Sequence, residues 1–191
     1  MEVGKKLYVT DRKAWRRWLA KNHKTAPDIW LVYYKKGSGK DRIPYNDAVE
    51  EALCYGWIDS LTKPRNKESW VQRFSPRRKK SPLSEMNKER VRRLIEAGTM
   101  TRFGLESISH HLDGRSKKKG ELKKFIFPPD IIRALKKDPE VWKHFNSFPE
   151  SYRRIRVGWI DGTRNRPDFF EKRLRYFIKM TAKNKKFGMV Q

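Results

Sequence analysis

The sequence predicts an α+β protein, in which an N-terminal antiparallel sheet packs with helices and a helical C-terminal region follows. Residues 1–112 mix short β-type runs with amphipathic helical patterns, whereas residues 125–191 show helical periodicity throughout. Aromatic residues make up 13% of the chain and include seven Trp. That content is enough for a hydrophobic core and is untypical of a disordered chain of this charge.

The first elements follow from local patterns. Leu7–Val9 is a short strand candidate, and Thr10 or Asp11 can cap the next helix, because a side-chain oxygen there accepts a free backbone N–H. Ile29–Tyr34 is a continuous apolar and aromatic run, which is typical of a central strand. The helix before it has an apolar stripe at Trp15, Trp18 and Leu19.

A second helix and a hairpin come next. Pro44 suits the first helical position, and Gly56 suits the residue that ends the helix. Trp57–Leu61 and Trp70–Phe74 are strand candidates. The turn-forming residues 62–68 between them predict antiparallel pairing.

Helical patterns continue to the C-terminus. Ser84 can cap a helix that Gly98 ends, and a short helix spans about Arg102–Leu112. Residues 113–124 are charged and lack an apolar period, so we predict a linker there, between an α+β domain at 1–112 and a helical region at 125–191. Four prolines stand where the later helices can begin: Pro129, Pro139, Pro149 and Pro167.

The charge predicts an anionic partner. Lys and Arg number 47 against 22 Asp and Glu, which gives a formal net charge of +25. Such a chain is attracted to polyanions such as RNA or DNA, although a basic composition can also serve solubility alone. The sequence starts without an apolar signal segment and contains no run of membrane-spanning length, so we expect a cytoplasmic protein.

Two basic segments hold the candidate anion-binding residues. The first surrounds a Gly-Ser-Gly turn after a strand but lacks the spacing of a nucleotide-binding phosphate loop. The second is a run of four cations between two Ser-Pro pairs, which we expect to stay in solvent or to meet an anion, because unpaired charges are costly to bury. The candidates are Lys35, Lys36 and Lys40 in the first segment and Arg77, Arg78, Lys79 and Lys80 in the second.

Aromatic residues precede the second basic segment. Trp57, Trp70 and Phe74 would offer stacking faces if their rings are exposed, and rings beside cations are a common arrangement for binding single-stranded nucleic acid. Aromatic residues on strands are, however, more often packed in the core.

A small-molecule pocket, enzymatic or not, is an alternative to the basic surface. Asp59 shares a strand face with Trp57, and Arg73 on the next strand can pair bidentately with a carboxylate. Asn87 points toward the apolar side of its helix. Such inward polar groups line a pocket or form a structural network, and the sequence leaves both open. The candidate pocket residues are Trp57, Asp59, Trp70, Arg73 and Asn87.

The sequence identifies no catalytic residue, cofactor or metal. Cys54 lies late in a helix, where the helix dipole disfavours a thiolate, and as the one cysteine it cannot form a disulfide within the chain. The four histidines lack the spacing of metal ligands, and His110 and His111 would point apart if they were on a helix. Enzyme activity stays undecided, and a non-enzymatic protein is favoured.

An ordered set of motifs runs through most of the chain. It comprises YKKGSG at 34–39, EALCYGWID at 51–59, RFSPR at 73–77, GTMT at 98–101 and PESYRR at 149–154. With these motifs the chain resembles the YdeI/OmpD-associated family, also called the bacteriocin-protection family. The resemblance implies a role in stress or in resistance to cationic antimicrobial peptides, and it implies no established catalytic residues. A protein of charge +25 repels cationic peptides, so direct sequestration of them is disfavoured.

The combined prediction is a non-enzymatic basic protein that binds RNA or DNA. The two basic segments would contact phosphates as one extended patch, and a Lys/Arg face in the C-terminal region would add affinity without sequence readout. The alternatives are the pocket above and a stress-response scaffold that binds another protein.

Overall fold

A computed structural model describes residues 2–116 and 120–188. The chain divides into two units. The first comprises Met1–Ser81 and Val91–Glu121, and the second comprises Pro82–Arg90 and Leu122–Gln191. The central lysines of the predicted linker, 117–119, lie outside the described residues. The α+β prediction is confirmed, since strands are confined to the first unit and helices dominate the C-terminal half.

The sheet of the first unit has the strand order β1-β2-β4-β3. Its strands are β1 (Lys6–Leu7), β2 (Ile29–Tyr34), β3 (Trp57–Asn66) and β4 (Ser69–Pro76). As predicted, β2 is a central strand, and it and β3 both pair antiparallel with β4. However, β1 pairs parallel with β2, so the sheet is mixed rather than wholly antiparallel. A two-residue strand has too little pattern to reveal its direction.

Strand β3 is longer than predicted. Its pairing with β4 continues through Lys63↔Val71 and Pro64↔Trp70 to Asn66↔Ser69, so most of the predicted turn 62–68 is strand. Because β3 is an edge strand, Pro64 can be accommodated without interrupting an interior ladder, and charged residues there protect the edge.

Helices cover one face of this sheet. The helices of the first unit are α1 (Arg12–Asn22), α2 (Tyr45–Cys54) and α4 (Arg102–Ser107), and α3 (Glu85–Glu96) is divided between the units after Arg90. Asp11 caps α1, as one of the two predicted residues, by accepting the Ala14 N–H at 2.9 Å. The ring of Trp15 meets Phe74 edge-on at 5.5 Å, which packs α1 on β4.

The second unit is helical. Its helices are α5 (Pro129–Lys136), α6 (Pro139–Ser147), α7 (Glu150–Asp161) and α8 (Pro167–Ala182). The four prolines therefore stand at helix starts as predicted, with Pro149 as the N-cap of α7. The core is built around Ile131, Leu135, Val141, Phe145, Phe148, Tyr152, Val157, Ile160 and Phe177. Within residues 2–116 and 120–188, no helix has the length and apolar character needed to cross a membrane.

Candidate nucleic-acid interface

The two basic segments do not form one patch. The Lys35 N–H donates to the Glu68 carbonyl at 2.8 Å, so the first segment lies at the start of β4, whereas the second follows the end of β4 at Pro76. At about 3.3 Å per residue, Ser69 and Pro76 are roughly 23 Å apart. Exposed charges are screened beyond about 8 Å at physiological salt. The predicted single patch is therefore wrong, and the two segments act separately.

The second segment is only partly a surface. Arg78, Lys79 and Lys80 are exposed, but Arg77 is 8% exposed, so the prediction that the whole run stays in solvent is wrong for Arg77. Its guanidinium donates to Ser81 Oγ at 3.0 Å within the loop. Burial lowers the pKa of the Arg77 guanidinium, and the nearby Asp59 carboxylate opposes that shift. Arg77 therefore stabilises the loop and is not part of the exposed basic surface.

The first segment belongs to a larger basic surface at the β3–β4 turn. Three of the four added cations, Lys63, Arg65 and Lys67, lie within residues 62–68, which the sequence suggested to be only a turn, and the first two of them are on β3. We call this the hairpin-end surface, and it comprises Tyr34, Lys35, Lys36, Lys40, Arg42, Lys63, Arg65, Lys67 and Trp70.

Tyr34 is the centre of the hairpin-end surface. Lys40 Nζ lies 4.6 Å from the centre of the Tyr34 ring, and Arg42 Nη1 donates to the Tyr34 carbonyl at 3.1 Å. Arg65 Nη1 lies 3.5 Å from the Tyr34 hydroxyl and 3.3 Å from Ser69 Oγ. The hydrogen bond from Arg65 lowers the pKa of the Tyr34 hydroxyl, with Lys40 acting in the same direction. These contacts gather three cations around Tyr34 on its face of the sheet, two of them at the ring and its hydroxyl.

Most of these cations are not neutralised by the protein. Within residues 2–116 and 120–188, no carboxylate comes within ion-pair distance of Lys35, Lys36, Lys40, Arg42, Arg65 or Lys67. The stretches of chain that carry these cations, residues 34–42 and 62–70, contain two acidic residues, Asp41 and Glu68. The hairpin-end surface therefore carries a positive excess that an external anion can neutralise.

Trp70 supplies a partly exposed aromatic ring at the same end of the sheet, on the face opposite to Tyr34, because it is paired with Tyr33 in the β2–β4 register. It stacks on the buried Tyr33, with ring centres 4.4 Å apart and planes inclined by 9°. Trp70, Thr62, Lys63 and Pro64 line an open groove of about 320 Å³. This volume is near the lower end for small-ligand sites. By contrast, Trp57 and Phe74 are 1% and 0% exposed, so of the three predicted stacking residues only Trp70 can meet a ligand.

The predicted pocket does not form as expected. Asp59 is opposite Phe74 in the β3–β4 register, and directly opposed residues share a face, so the neighbouring Arg73 faces the other side. Arg73 instead donates from Nε and Nη2 to Asp28 Oδ2 at 2.9 and 2.8 Å. The predicted Asp59–Arg73 pair is therefore wrong, and with it the requirement that both side chains converge.

The remaining pocket candidates have separate environments. Asp59 Oδ2 accepts from the Tyr45 hydroxyl at 2.6 Å. Asn87 belongs to the second unit, where its Oδ1 accepts from Arg90 Nη1 at 2.7 Å. Burial raises the pKa of the Tyr33 hydroxyl, and Tyr45 and Asp59 act in the same direction. The polar groups that meet near Asp59 are thus Tyr33, Tyr45 and Arg77, and the sequence pattern did not indicate the two tyrosines.

The cysteine and histidines do not form a reactive or metal-binding set. Cys54 is fully buried, and burial raises the pKa of its thiol. His110 and His111 do not point apart as predicted, because they lie in a short 3₁₀ turn, and both Nε2 atoms are 3.2 Å from the Ser81 carbonyl oxygen. No group of three His, Cys, Asp or Glu suited to a metal ion occurs in the described ranges 2–116 and 120–188.

Fold and surface together define a basic α+β protein of two units, with an aromatic and cationic surface on the first. The family model described as a domain of unknown function (DUF8412) matches residues 7–107, more than half of the chain, and the chain belongs to this family. A second model, described as Bacteriocin-protection, YdeI or OmpD-Associated, matches residues 124–184 and confirms the resemblance there. Most of the motifs that carried the resemblance lie instead within the first match. No curated protein and no solved structure matches the chain.

Proposed function

We propose that the protein binds single-stranded nucleic acid through the hairpin-end surface. The observation that carries the proposal is Trp70, whose partly exposed ring lines a groove with Lys63 at the end of the sheet where Lys35, Lys36 and Lys67 also lie. Every base has a face that can stack, and stacking on an aromatic ring contributes about 1–3 kcal/mol per base. Cations beside the ring bind the phosphates that connect successive bases.

The geometry favours single strands over duplexes. In a duplex the base faces are stacked on one another, whereas in a single strand they are available to Trp70. The stack of Trp70 on Tyr33 holds the ring in one orientation before a base arrives, which reduces the entropy lost on binding. The exposed segment at Arg78, Lys79 and Lys80 contains no aromatic residue of its own, and so by itself it supplies charge without a stacking site.

The cellular setting is part of this proposal. The description of the second family model supports a role in protection against bacteriocins, and the charge of +25 favours a nucleic-acid partner over a cationic peptide in that role. RNA and DNA are present in the cytoplasm, where we expect the protein to act. A scaffold that binds another protein is the competing function.

The test compares two double variants, each of which replaces two cations with neutral glutamine. Binding to fluorescently labelled single-stranded RNA is measured over a range of NaCl concentrations. Lys36→Gln/Lys67→Gln removes two cations of the hairpin-end surface, and Arg78→Gln/Lys79→Gln is the matched control at the other end of β4. For single strands each lost phosphate contact lowers the slope of log affinity against log salt by about 0.7. We expect a loss of about 1.4 for the first pair and no change for the control.

Trp70 is tested separately. Trp70→Ala is expected to weaken RNA binding by roughly 5- to 150-fold, which corresponds to about 1–3 kcal/mol, whereas Trp70→Phe keeps a stacking ring and most of the affinity. Circular dichroism checks that both variants fold. Equal losses for both charge pairs, or wild-type affinity in Trp70→Ala, would contradict the proposal. A protein partner retained after nuclease treatment, with no RNA bound at low salt, would support the scaffold.

A further inference from the structure

The outward side of α8 in the second unit is a second surface rich in cations and aromatic rings. Phe169 and Tyr176 are 50% and 45% exposed on this side. The exposed cations on the same side are Lys172, Arg175 and Lys179 within α8 and Lys183 at its C-cap. We call these six residues the α8 face.

Helical geometry aligns these side chains. Residues three or four apart lie on one side of an α-helix, and each residue advances the axis by 1.5 Å. The four cations follow one another at intervals of three or four residues, so they form a row about 16 Å long from Lys172 to Lys183. Such a row can follow a strand of regularly spaced phosphates.

The charge of the α8 face is not balanced by the protein. By contrast, Arg164 in the same unit is paired with Asp130 and Asp161. In the part of the chain that the structure describes, none of the four cations of the α8 face has a carboxylate within ion-pair distance. The acidic residues of α8 are Asp168 and Glu171, near its N-terminus.

The apolar side of α8 decides what kind of partner fits. A helix that lies in a membrane interface inserts its apolar side among the lipids. In α8 that side is already used, because Phe177 is fully buried in the core of the second unit and Phe170, Leu174 and Ile178 pack against that core. Two aromatic rings remain half-exposed outside: Phe169, which Arg166 approaches to 4.7 Å, and Tyr176, whose ring meets Phe187 edge-on at 4.8 Å. A phosphodiester chain fits this face better than a bilayer, since its phosphates can meet the cations and its bases can stack on the rings.

We propose that the α8 face is a second binding site for single-stranded nucleic acid, independent of the hairpin-end surface. The choice of ligand class rests on the proposed function of the first unit. Two sites on one chain increase the apparent affinity for strands long enough to reach both, because the second binding event is then intramolecular. The protein is therefore expected to prefer long strands to short ones.

The experiment measures binding of labelled single-stranded RNA of about 10 and about 40 nucleotides, lengths chosen against a typical site size of about 4–16 nucleotides. Lys172→Gln/Lys179→Gln removes two cations of the α8 face, and Lys137→Gln/Lys143→Gln is the matched control in the same unit. Both pairs are also placed in a protein that carries Lys36→Gln, Lys67→Gln and Trp70→Ala. In that background we expect the α8 pair to lower the salt slope by about 1.4 and the control pair to leave it unchanged.

The outcomes separate the two proposals. If the protein with the α8 pair of substitutions binds both RNAs as tightly as the protein with the control pair, the proposed α8 site is wrong. The proposal for the hairpin-end surface is then unaffected. If the α8 pair weakens binding while the hairpin-end variants do not, the α8 site stands and the first proposal fails. If the α8 pair weakens binding to vesicles that contain phosphatidylserine but not to RNA, the face is a lipid site and this inference is overturned.

Discussion

At the residue scale, the structure distinguishes paired, buried and exposed cations, all of which count equally in the net charge. Arg164 donates to both oxygens of Asp130 at 3.0 and 2.9 Å, so it is neutralised within the protein. Arg156 is 6% exposed and lies against the rings of Tyr152 and Phe187, and burial lowers the pKa of its guanidinium. Lys172 is exposed. Only cations of the last kind can bind an external phosphate without first breaking internal contacts.

The buried carboxylate of Glu51 shows why some arginines must stay paired within the protein. Glu51 is 2% exposed, and its two oxygens accept from different arginines, Oε1 from Arg12 Nε at 2.5 Å and Oε2 from Arg16 Nη1 at 2.6 Å. Either arginine can keep the carboxylate partly neutralised when the other is removed. Removal of both leaves a buried charge without a partner.

We therefore predict a non-additive loss of stability. Arg12→Met or Arg16→Met alone should lower the free energy of unfolding by about 1 kcal/mol, because both arginines are partly exposed. The double variant should lose about 3–5 kcal/mol, more than the two single losses together. Urea unfolding of the four proteins measures this. Arg102→Met, whose partner Glu106 is exposed, is the control and should leave the unfolding midpoint unchanged. Additive losses would show that Glu51 finds another partner.

At the scale of elements, the sequence predicted the parts whose pattern is local. Ile29–Tyr34 is a strand because a continuous apolar run suits a strand covered on both faces, and the later helices start at their prolines. The end of β3 was missed for an equally physical reason. Lys63, Pro64 and Arg65 resemble a turn in sequence, and only the position of β3 at the sheet edge makes such residues suitable for a strand.

The candidate site was predicted less completely than the fold. Lys35, Lys36, Lys40 and Trp70 were identified from composition, but Arg42 and Arg65 join them through the Tyr34 carbonyl and hydroxyl, which are tertiary contacts. The burial of Arg77 and the Arg73–Asp28 pair likewise depend on which strand face each residue occupies. A one-residue change of register reverses that face, and a single sequence does not fix the register.

The packing of α4 against the end of α2 leads to a prediction at this scale. A Cβ atom on Gly104 would lie 2.4 Å from the Cys54 carbonyl oxygen and 2.8 Å from that of Leu53, so backbone must move to admit it. Gly104→Ala should cost about 1–3 kcal/mol of unfolding free energy. The control is Gly37→Ala, where nothing lies within 4 Å of the added atom and the change should stay within about 0.5 kcal/mol. Equal unfolding midpoints for the two variants would contradict this account of α4.

At the scale of the whole molecule, the excess positive charge acts on every part of the chain. The net charge of +25 favours association with anions, and it also opposes compaction, because like charges repel one another in the folded state. Added salt screens this repulsion and so favours the folded state. It also screens the attraction within ion pairs such as Arg164–Asp130, and that effect disfavours the folded state. The ratio of 47 basic to 22 acidic residues decides which effect dominates, because most cations cannot have an acidic partner of their own.

Salt should therefore stabilise this protein. Raising NaCl from about 0.01 M to about 0.15 M shortens the screening length from about 30 Å to about 8 Å, and it thus weakens repulsion between surfaces as far apart as the two ends of β4. We expect the melting temperature at pH 7, followed by circular dichroism, to rise over this range. The quadruple variant Arg78→Gln/Lys79→Gln/Lys172→Gln/Lys179→Gln carries four fewer positive charges and should show a smaller rise. A melting temperature that falls with salt would mean that the internal ion pairs, rather than the net charge, dominate the electrostatic energy of the folded chain.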